Sequence, residues 1–285
     1  MIYVVNYADG EPYESYRKIN TKTAYLFGKA DKVLEYSSKD IPQSYKDKHK
    51  DIFAYKRGAG LWLWKPYLVN KALNNLQMGD WMFYSDGGSL LIQDIHLLIK
   101  CANMNNSDVM LFEQPLLHRQ FTKRETMVKM NVCDKGTNQT LGIFLLKKTN
   151  NTISLMKEWL ANCEKEELIS PKKFFSEISD FEDYVMHRED QSILSTLRVK
   201  YDIISYRDPS DYGEMPFQYA TNDKFLYAPK KYENSNYPTI LLCSRRTHPY
   251  IYYFEYLIKK VLNKLNIRWT EQYYLKRFKC KKIGL

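Results

Sequence analysis

The 285-residue sequence has little of what marks secreted, disulfide-stabilised or membrane-spanning proteins. Its five cysteines are at least thirty residues apart and form neither a C-x-x-C pair nor a Cys/His cluster. We interpret them as unpaired thiols in a reducing compartment, and expect no structural zinc. The N-terminal apolar run has no basic flank before it, so no signal peptide is predicted. No apolar run approaches the roughly 18 residues that a spanning helix needs, and we expect a cytoplasmic protein.

The sequence also lacks the short motifs of several large enzyme classes. It contains no G-x-x-x-x-G-K-[ST] loop, no G-x-G-x-x-G, no G-x-S-x-G and no H-E-x-x-H. These absences argue against P-loop nucleotide hydrolysis, dinucleotide redox chemistry and the common serine and zinc hydrolases.

The net charge of +10 lies almost entirely at the C-terminal end. Residues 245–285 carry a net charge of +9, which leaves +1 for residues 1–244. A nearly neutral body is not typical of a protein that tracks a nucleic-acid backbone, so no nucleic-acid partner is expected. The sequence therefore predicts a body over 1–244 and a basic, aromatic-rich helical extension over 245–285.

The extension has a pattern that favours contact with an anionic membrane. Apolar residues recur at helical spacing over 251–265, and basic and aromatic residues interleave over 268–282. Such a pattern suits the lipid headgroup region, and peripheral association with the inner face of the cell membrane is expected. Two alternatives stay open: a terminal helix packed on the body, and a non-enzymatic protein that binds nucleic acid or membrane through this tail.

The body alternates segments typical of strands and helices, which predicts one α/β unit. The predicted strands are 2–7, 32–36, 81–84, 109–112 and 141–146. Helical patterns are expected at 21–28, 68–76 and 153–160 and directly after residue 187, with a polar surface stretch at 162–180.

Charged residues that could bind an anionic ligand lie near the ends of predicted strands. Asp86 directly follows an apolar strand and precedes Gly87 and Gly88, which would let a ligand approach the backbone. Arg57 and Lys65 flank a glycine-containing loop. Cations near such an acid suit a diphosphate bridged by Mg²⁺ or Mn²⁺, because these ions bind carboxylate and phosphate oxygens together. The residues alone thus favour an α/β enzyme with an anionic ligand such as a sugar nucleotide.

Five motifs follow one another along this part of the chain. They are R-G-A-G-L-W-L-W-K-P at 57–66, G-D at 79–80, Y-S-D-G-G at 84–88, F-T-K at 121–123 and H-R-E-D-Q-S at 187–192. In this order they resemble the motifs of bacterial surface-polysaccharide glycosyltransferases of the capsule or O-antigen type, over about residues 2–205. The resemblance implies a GT-A fold, a Rossmann-like single domain with a mixed central sheet flanked by helices.

The resemblance implies transfer of a sugar from a nucleotide-diphosphate sugar to a hydroxyl of a growing, lipid-linked surface polysaccharide. Asp190 is implied as the catalytic residue, either as the general base of an inverting reaction or as the group that orients sugar or acceptor in a retaining one. Asp86 is implied as the ligand of Mn²⁺ or Mg²⁺, although Gly88 stands where the second acid of an Asp-x-Asp would be. The implied donor-binding residues are Arg57, Lys65, Asp86, Gly87, Gly88, Lys123 and Gln191, with His187, Arg188 and Trp64 as further candidates.

Each of these residues also has a plain structural alternative. An acid at a strand end often caps a turn. Lys65 can be a solvated lysine beside core tryptophans, and Asp190 with Arg188 can be a surface ion pair of little energetic weight. A nuclease or phosphotransferase built on Asp86 is disfavoured because no second and third acid stand near it in the sequence.

Overall fold

A computed structural model describes residues 1–244 and 247–284 of the protein. The strands are, in chain order, β1 (Ile2–Tyr7), β2 (Lys32–Tyr36), β3 (Trp81–Tyr84), β4 (Ser89–Leu91), β5 (Val109–Leu117), β6 (Asn138–Lys147), β7 (Ser205–Arg207), β8 (Leu226–Tyr227), β9 (Leu241–Cys243) and β10 (Lys281–Lys282). The helices are α1 (Tyr13–Leu26), α2 (Gln43–Lys48), α3 (Lys50–Phe53), α4 (Gly58–Leu61), α5 (Trp64–Asn75), α6 (His96–Met104), α7 (Arg124–Lys129), α8 (Asn150–Cys163), α9 (Glu166–Ile169), α10 (Glu189–Lys200), α11 (Asp211–Glu214), α12 (Pro249–Lys264) and α13 (Glu271–Phe278). Short 3-10 helices lie at Ser38–Asp40, His118–Gln120 and Pro216–Tyr219.

The central sheet is mixed. Its strand order is β10-β8-β5-β6-β3-β1-β2, with β7 beside β5. Strand β1 runs parallel to β2 and β3, whereas β6 runs antiparallel to both β3 and β5. The predicted α/β fold with a mixed central sheet flanked by helices is therefore confirmed.

The two faces of the sheet bury alternate residues of the same strands, as the period of two requires. On one face, Val5, Tyr84 and Phe144 belong to a core shared with α5, α8 and α10. On the other face, Val4 and Phe83 belong to a second core shared with α6. The strands are thus apolar on both sides over much of their length, and most of the polar groups that could bind a ligand are expected near the strand ends and in the loops beyond them.

The C-terminal segment packs on the body through side chains of α12. The hydroxyl groups of Tyr252 and Tyr256 each donate a 2.6 Å hydrogen bond, to Asp211 and to Glu214 of α11 respectively. Strand β10 then pairs in parallel with β8 at the edge of the central sheet. The predicted extension accordingly contains two helices and a short strand that joins the sheet. The predicted boundary at Arg245 lies outside the described residues.

Within the described ranges, no helix is both long and apolar enough to cross a bilayer. Three of the cysteines, Cys101, Cys163 and Cys280, are buried.

Candidate functional site

A cavity of about 920 Å³ opens beyond the carboxyl ends of β1 and β3. Tyr7 at the end of β1 and Asp86 just after β3 both line it. Nine of the eleven residues singled out in the sequence line this one cavity, and they come from four separate stretches of the chain: Arg57, Trp64, Lys65, Asp86, Gly87, Gly88, Arg188, Asp190 and Gln191.

Lys65 lies between the two predicted acids. It sits in the first turn of α5 and is almost fully buried, with its Nζ 3.5 Å from Asp86 Oδ1 and 3.8 Å from Asp190 Oδ2. The Nζ also lies 5.2 Å from the centre of the Tyr84 ring. Space for the ammonium depends on Gly142 of β6, where a Cβ would come within 2.9 Å of Lys65 Nζ. The alternative of a solvated lysine at position 65 does not hold.

The surroundings of Lys65 and Asp190 shift the pKa values of these two groups. Burial lowers the pKa of the Lys65 ammonium, but Asp86 and Asp190 outweigh that effect and the net pKa lies above its ordinary value. Burial raises the pKa of Asp190 to about 7, against the opposite effect of Lys65. Asp190 therefore changes its charge near neutral pH while Lys65 stays charged.

A hydrogen bond to its backbone oxygen, and not one to its carboxylate, fixes Asp190 at the start of α10. Trp159 donates a 2.9 Å hydrogen bond from its indole N–H to the backbone oxygen of Asp190. The Oδ2 atom of Asp190 is buried and accepts no hydrogen bond from the described residues. A buried carboxylate oxygen without a donor is costly, and a ligand hydroxyl could provide that donor.

Arg57 is fixed by the residue that precedes Asp190. Its Nε donates a 2.6 Å hydrogen bond to Glu189 Oε1, and the carboxylate of Glu189 is buried. About half of the Arg57 side chain, 54%, is exposed, and Arg57 lines the cavity. The guanidinium also stacks over Trp62 at 5.6 Å. The Arg57 cation therefore lines the cavity and is paired with the buried acid Glu189.

The short segment α4 and the Trp62 that follows it do not have regular right-handed helical backbone. Gly58, Ala59, Gly60, Leu61 and Trp62 all have positive φ, and three of these five are not glycine. Left-handed geometry costs a non-glycine residue about 1–2 kcal/mol, so the two glycines reduce the strain of this turn. The strained turn brings the indole N–H of the later Trp64 to 2.9 Å from the Gly58 carbonyl.

Three further predicted residues line the cavity mainly through packing. The ring of Trp64 stacks on Tyr7 with a 3.8 Å separation between ring centres. A Cβ at Gly87 would come within 2.6 Å of the Tyr7 carbonyl oxygen, so close packing requires glycine there. The Gln191 side chain donates a 2.5 Å hydrogen bond to the Thr140 carbonyl of β6.

Lys123 and His187 lie away from the cavity, which corrects their predicted place in the donor site. The Lys123 ammonium is buried and binds Glu125 Oε1 at 2.7 Å and two backbone carbonyls. His187 Nδ1 accepts a hydrogen bond from the backbone N–H of Lys123, and burial holds the pKa of His187 well below its ordinary value. Both side chains join buried segments to each other, and neither lines the cavity.

The structure adds cavity residues that the motifs did not indicate. Asp208 directly follows β7 and is buried, with its Oδ2 accepting a 2.8 Å hydrogen bond from Tyr219. Gln218 and Tyr212 line the cavity beside them. The sequence pattern did not predict the short strand β7, so it did not indicate Asp208 as an acid at a strand end. Together with Gln114 of β5, these residues form the Asp208 end of the cavity.

The residues at Asp86 do not fit a divalent metal ion. In residues 1–244 and 247–284, no group of three or more His, Cys, Asp or Glu side chains is placed to hold one. Gly88 supplies no oxygen ligand from a side chain, and Lys65 already places an ammonium 3.5 Å from Asp86 Oδ1. Magnesium and manganese require several oxygen ligands, and a neighbouring ammonium repels them. The predicted role of Asp86 as a metal ligand therefore lacks a complete set of partners.

Comparison with known proteins yields similar structures at low sequence identity. No protein-family model and no curated protein sequence matches the chain. The chain is similar to mouse xyloside xylosyltransferase 1, with 9% identity, a TM-score of 0.44 and coverage of 87% of this chain and 99% of that one. It is also similar to the galactosyltransferase LgtC in complex with donor and acceptor sugar analogs, with 14% identity, a TM-score of 0.44 and coverage of 84% and 86%.

A third similar structure is the glycosyltransferase GlyE from Streptococcus pneumoniae, with 15% identity and a TM-score of 0.41 over 93% of this chain and 62% of that one. At such identities and TM-scores no activity passes from these proteins to this chain. The chemistry that this chain can perform depends on the groups in its own cavity.

Proposed function

We propose that the protein transfers a sugar from a nucleoside-diphosphate sugar to a hydroxyl group of a growing surface glycan. One observation carries the proposal: residues from three distant sequence motifs meet in a single cavity as the cluster of Lys65, Asp86 and Asp190. Its volume of about 920 Å³ suits a ligand of nucleotide-sugar size. Two cations and two acids together are the groups that such a transfer needs.

The cations and the acid of the cavity have different proposed roles. Arg57 and Lys65 offset the charge that develops on the departing diphosphate. Asp190, with a carboxylate that titrates near neutral pH, accepts the proton of the acceptor hydroxyl in an inverting reaction. In a retaining reaction, the same carboxylate orients the sugar or the acceptor instead. Arg188 and Gln191 line the wall between these groups.

The acceptor is proposed to enter at the Asp208 end of the cavity. The segments that form this end, β5 and residues 208–225, contribute Gln114, Asp208, Gln218 and Tyr219 to the lining and no lysine or arginine. Amide, carboxylate and aromatic groups suit the hydroxyls and apolar ring faces of an uncharged sugar. A lipid-linked glycan is the proposed acceptor class.

Asp86→Asn tests the donor site. We expect nucleotide-sugar turnover to fall about hundredfold, the size of a lost electrostatic contact in a catalytic site. The fold should survive, because the Asp86 side chain is 62% exposed. Thermal-shift profiles against a panel of nucleoside-diphosphate sugars, with and without Mn²⁺, and release of the nucleoside diphosphate measure binding and turnover.

Asp202→Asn is the matched control. Asp202 is also an exposed acid near a lysine, with Lys135 Nζ at 3.8 Å, but it lies outside the cavity. The control variant should keep full turnover. Full turnover in Asp86→Asn would remove Asp86 from the site, and a wild-type protein that neither binds nor cleaves any donor would contradict the proposed function.

We also propose that α12 binds the surface of an anionic bilayer. Six apolar side chains of α12 and its C-terminal end are exposed to between 40% and 65%: Ile251, Phe254, Leu257, Ile258, Val261 and Leu265. Their spacing places them along one side of the helix, while Tyr252 and Tyr256 pack on the body. Residues 247–284 carry a net charge of +7, which complements anionic headgroups.

Ile258→Ser tests this surface. We expect binding to vesicles containing phosphatidylglycerol to weaken about tenfold, because one large apolar side chain is no longer buried in the bilayer. Ile204→Ser is the control, since Ile204 is similarly exposed but lies outside α12. Co-sedimentation with these vesicles and with neutral phosphatidylcholine vesicles measures the effect. Equal binding by both variants, or concentration-dependent self-association in place of vesicle binding, would overturn the proposal.

The alternative of a nucleic-acid-binding tail has less support. The exposed side of α12 is apolar, whereas a surface that follows a phosphate backbone is basic. Several basic side chains of the segment are engaged within the protein, as Lys260 is with Glu214 and Lys282 with Glu271.

A further inference from the structure

We propose that the ammonium of Lys65 supplies, without a divalent metal ion, the positive charge that the departing diphosphate requires. The inference rests on the proposed sugar transfer and concerns the chemistry of the same site. The site fits Mg²⁺ or Mn²⁺ poorly, and the Lys65 ammonium takes the place of the ion.

The position of Lys65 is that of a bridging cation. Its Nζ lies within 4 Å of carboxylate oxygens from two acids that are far apart in the chain, Asp86 after β3 and Asp190 in α10. A divalent ion held jointly by these acids would occupy the same space. The side chain reaches this position from the first turn of a rigid helix, and Gly142 leaves room for its tip.

Two carboxylates lie within 4 Å of the Lys65 ammonium. The ring of Tyr84 lies 5.2 Å from the Lys65 Nζ, and its buried hydroxyl has no hydrogen-bond partner among the described residues. Because the position of Lys65 is largely dehydrated, the local dielectric constant is low and the ammonium interacts strongly with a charged ligand. A cation that is already in place also needs no reorganisation during the reaction. Arg57 adds a second fixed cation at the mouth of the cavity.

The transfer step balances with these groups alone. The bond between the anomeric carbon of the donor sugar and the diphosphate oxygen breaks, and its electron pair stays on the diphosphate. The acceptor hydroxyl oxygen forms the new bond to the anomeric carbon. The hydroxyl proton passes to Asp190, or to the departing diphosphate if Asp190 only orients the reactants. Lys65 remains protonated throughout and stabilises the added charge on the diphosphate.

The first experiment uses the wild-type protein. Affinities for UDP, GDP, ADP, dTDP and their glucose conjugates are measured by calorimetry after EDTA treatment and again with added Mn²⁺, and direct Mn²⁺ binding is followed by its paramagnetic resonance signal. We expect unchanged nucleotide affinity and no saturable Mn²⁺ binding to the protein alone. An EDTA-sensitive affinity, or tight Mn²⁺ binding, would overturn this inference and leave the proposed transfer standing. Absence of nucleotide binding under every condition would instead refute the proposed function.

The second experiment replaces the cation itself. Lys65→Met should weaken nucleotide binding and donor turnover about hundredfold in metal-free buffer, and added Mn²⁺ should restore part of the loss because the two acids then lack their ammonium. Lys123→Met is the matched control: it also removes a buried ammonium beside a carboxylate, but outside the cavity. Nucleotide affinity that survives in Lys65→Met, or falls equally in folded Lys123→Met, would contradict the assignment.

Discussion

Asp190→Asn is expected to lower the rate of sugar transfer about 10²–10⁴-fold, the usual contribution of a positioned proton acceptor. The carboxylate loses its ability to take a proton, while the side chain keeps its size and the backbone contact with Trp159 remains. Donor affinity should change much less than the rate, because Arg57 and Lys65 stay in place. Steady-state kinetics that separate kcat from the donor KM measure this difference.

The pH dependence of kcat/KM provides a second test of Asp190 as the proton acceptor. Because burial raises the pKa of Asp190 to about 7, kcat/KM of the wild type should fall as the pH is lowered through neutrality, and the variant should lose this acidic limb. A carboxyl with a raised folded-state pKa contributes stability that is complete below its unfolded pKa and is lost as the pH rises through the folded one. The wild type should therefore gain stability relative to Asp190→Asn as the pH falls from about 8 to about 5.

Asp211→Asn is the control for the pH effect. Asp211 is also a buried acid, with a pKa that burial raises to about 6, but its carboxylate binds Tyr252 of α12 and does not line the cavity. The acidic limb of kcat/KM should persist in this variant. A limb that persists in Asp190→Asn as well would assign it to another group and remove Asp190 from proton transfer.

Arg198→Met is expected to lower the free energy of unfolding by about 3–5 kcal/mol, the usual cost of removing one partner of a buried ion pair. Arg198 of α10 binds Glu113 of β5 at 2.9 Å, and both side chains are buried. It also donates hydrogen bonds to Thr140 and Asn138 of β6. Urea denaturation curves with an unchanged m value measure the loss.

Lys200→Met on the same helix is the comparison that isolates burial. Lys200 pairs with Glu158 at 2.8 Å, but this pair lies at the surface. Such exposed pairs contribute about 0–1 kcal/mol, so this variant should unfold almost like the wild type. Similar losses in both variants would show that the interior position of Arg198 is not what stabilises α10.

The regular elements were predictable where the sequence pattern was local. The bounds of β2 and β3 agree with the prediction, because short runs of β-branched and aromatic residues end at clear polar signals. Helix α1 begins at Tyr13, eight residues before the predicted segment, because its first turns are polar and show no apolar period. Strand β6 similarly begins with the polar residues Asn138 and Gln139, which only tertiary packing buries.

The candidate site was predictable only in part, for a related reason. Sequence motifs mark residues such as Asp86 and Asp190 but contain no information on which way a side chain points. Lys123 stands in a motif, yet its ammonium is satisfied inside the protein by Glu125 and two carbonyls. Asp208 stands in no motif and enters the cavity because β7 lies beside β5. Long-range packing determines where the side chains of Lys123 and Asp208 lie, and a local sequence pattern does not contain that information.

The hydrogen bond from Tyr252 to Asp211 bears on how the proposed acceptor would reach the cavity. It ties α12 to the segment that forms the Asp208 end of the cavity. With α12 docked on a bilayer as proposed, that end lies close to the membrane, and a lipid-linked acceptor arrives by lateral diffusion in two dimensions. The acceptor's effective concentration is then set by its surface density, so a weak acceptor subsite suffices for rapid transfer.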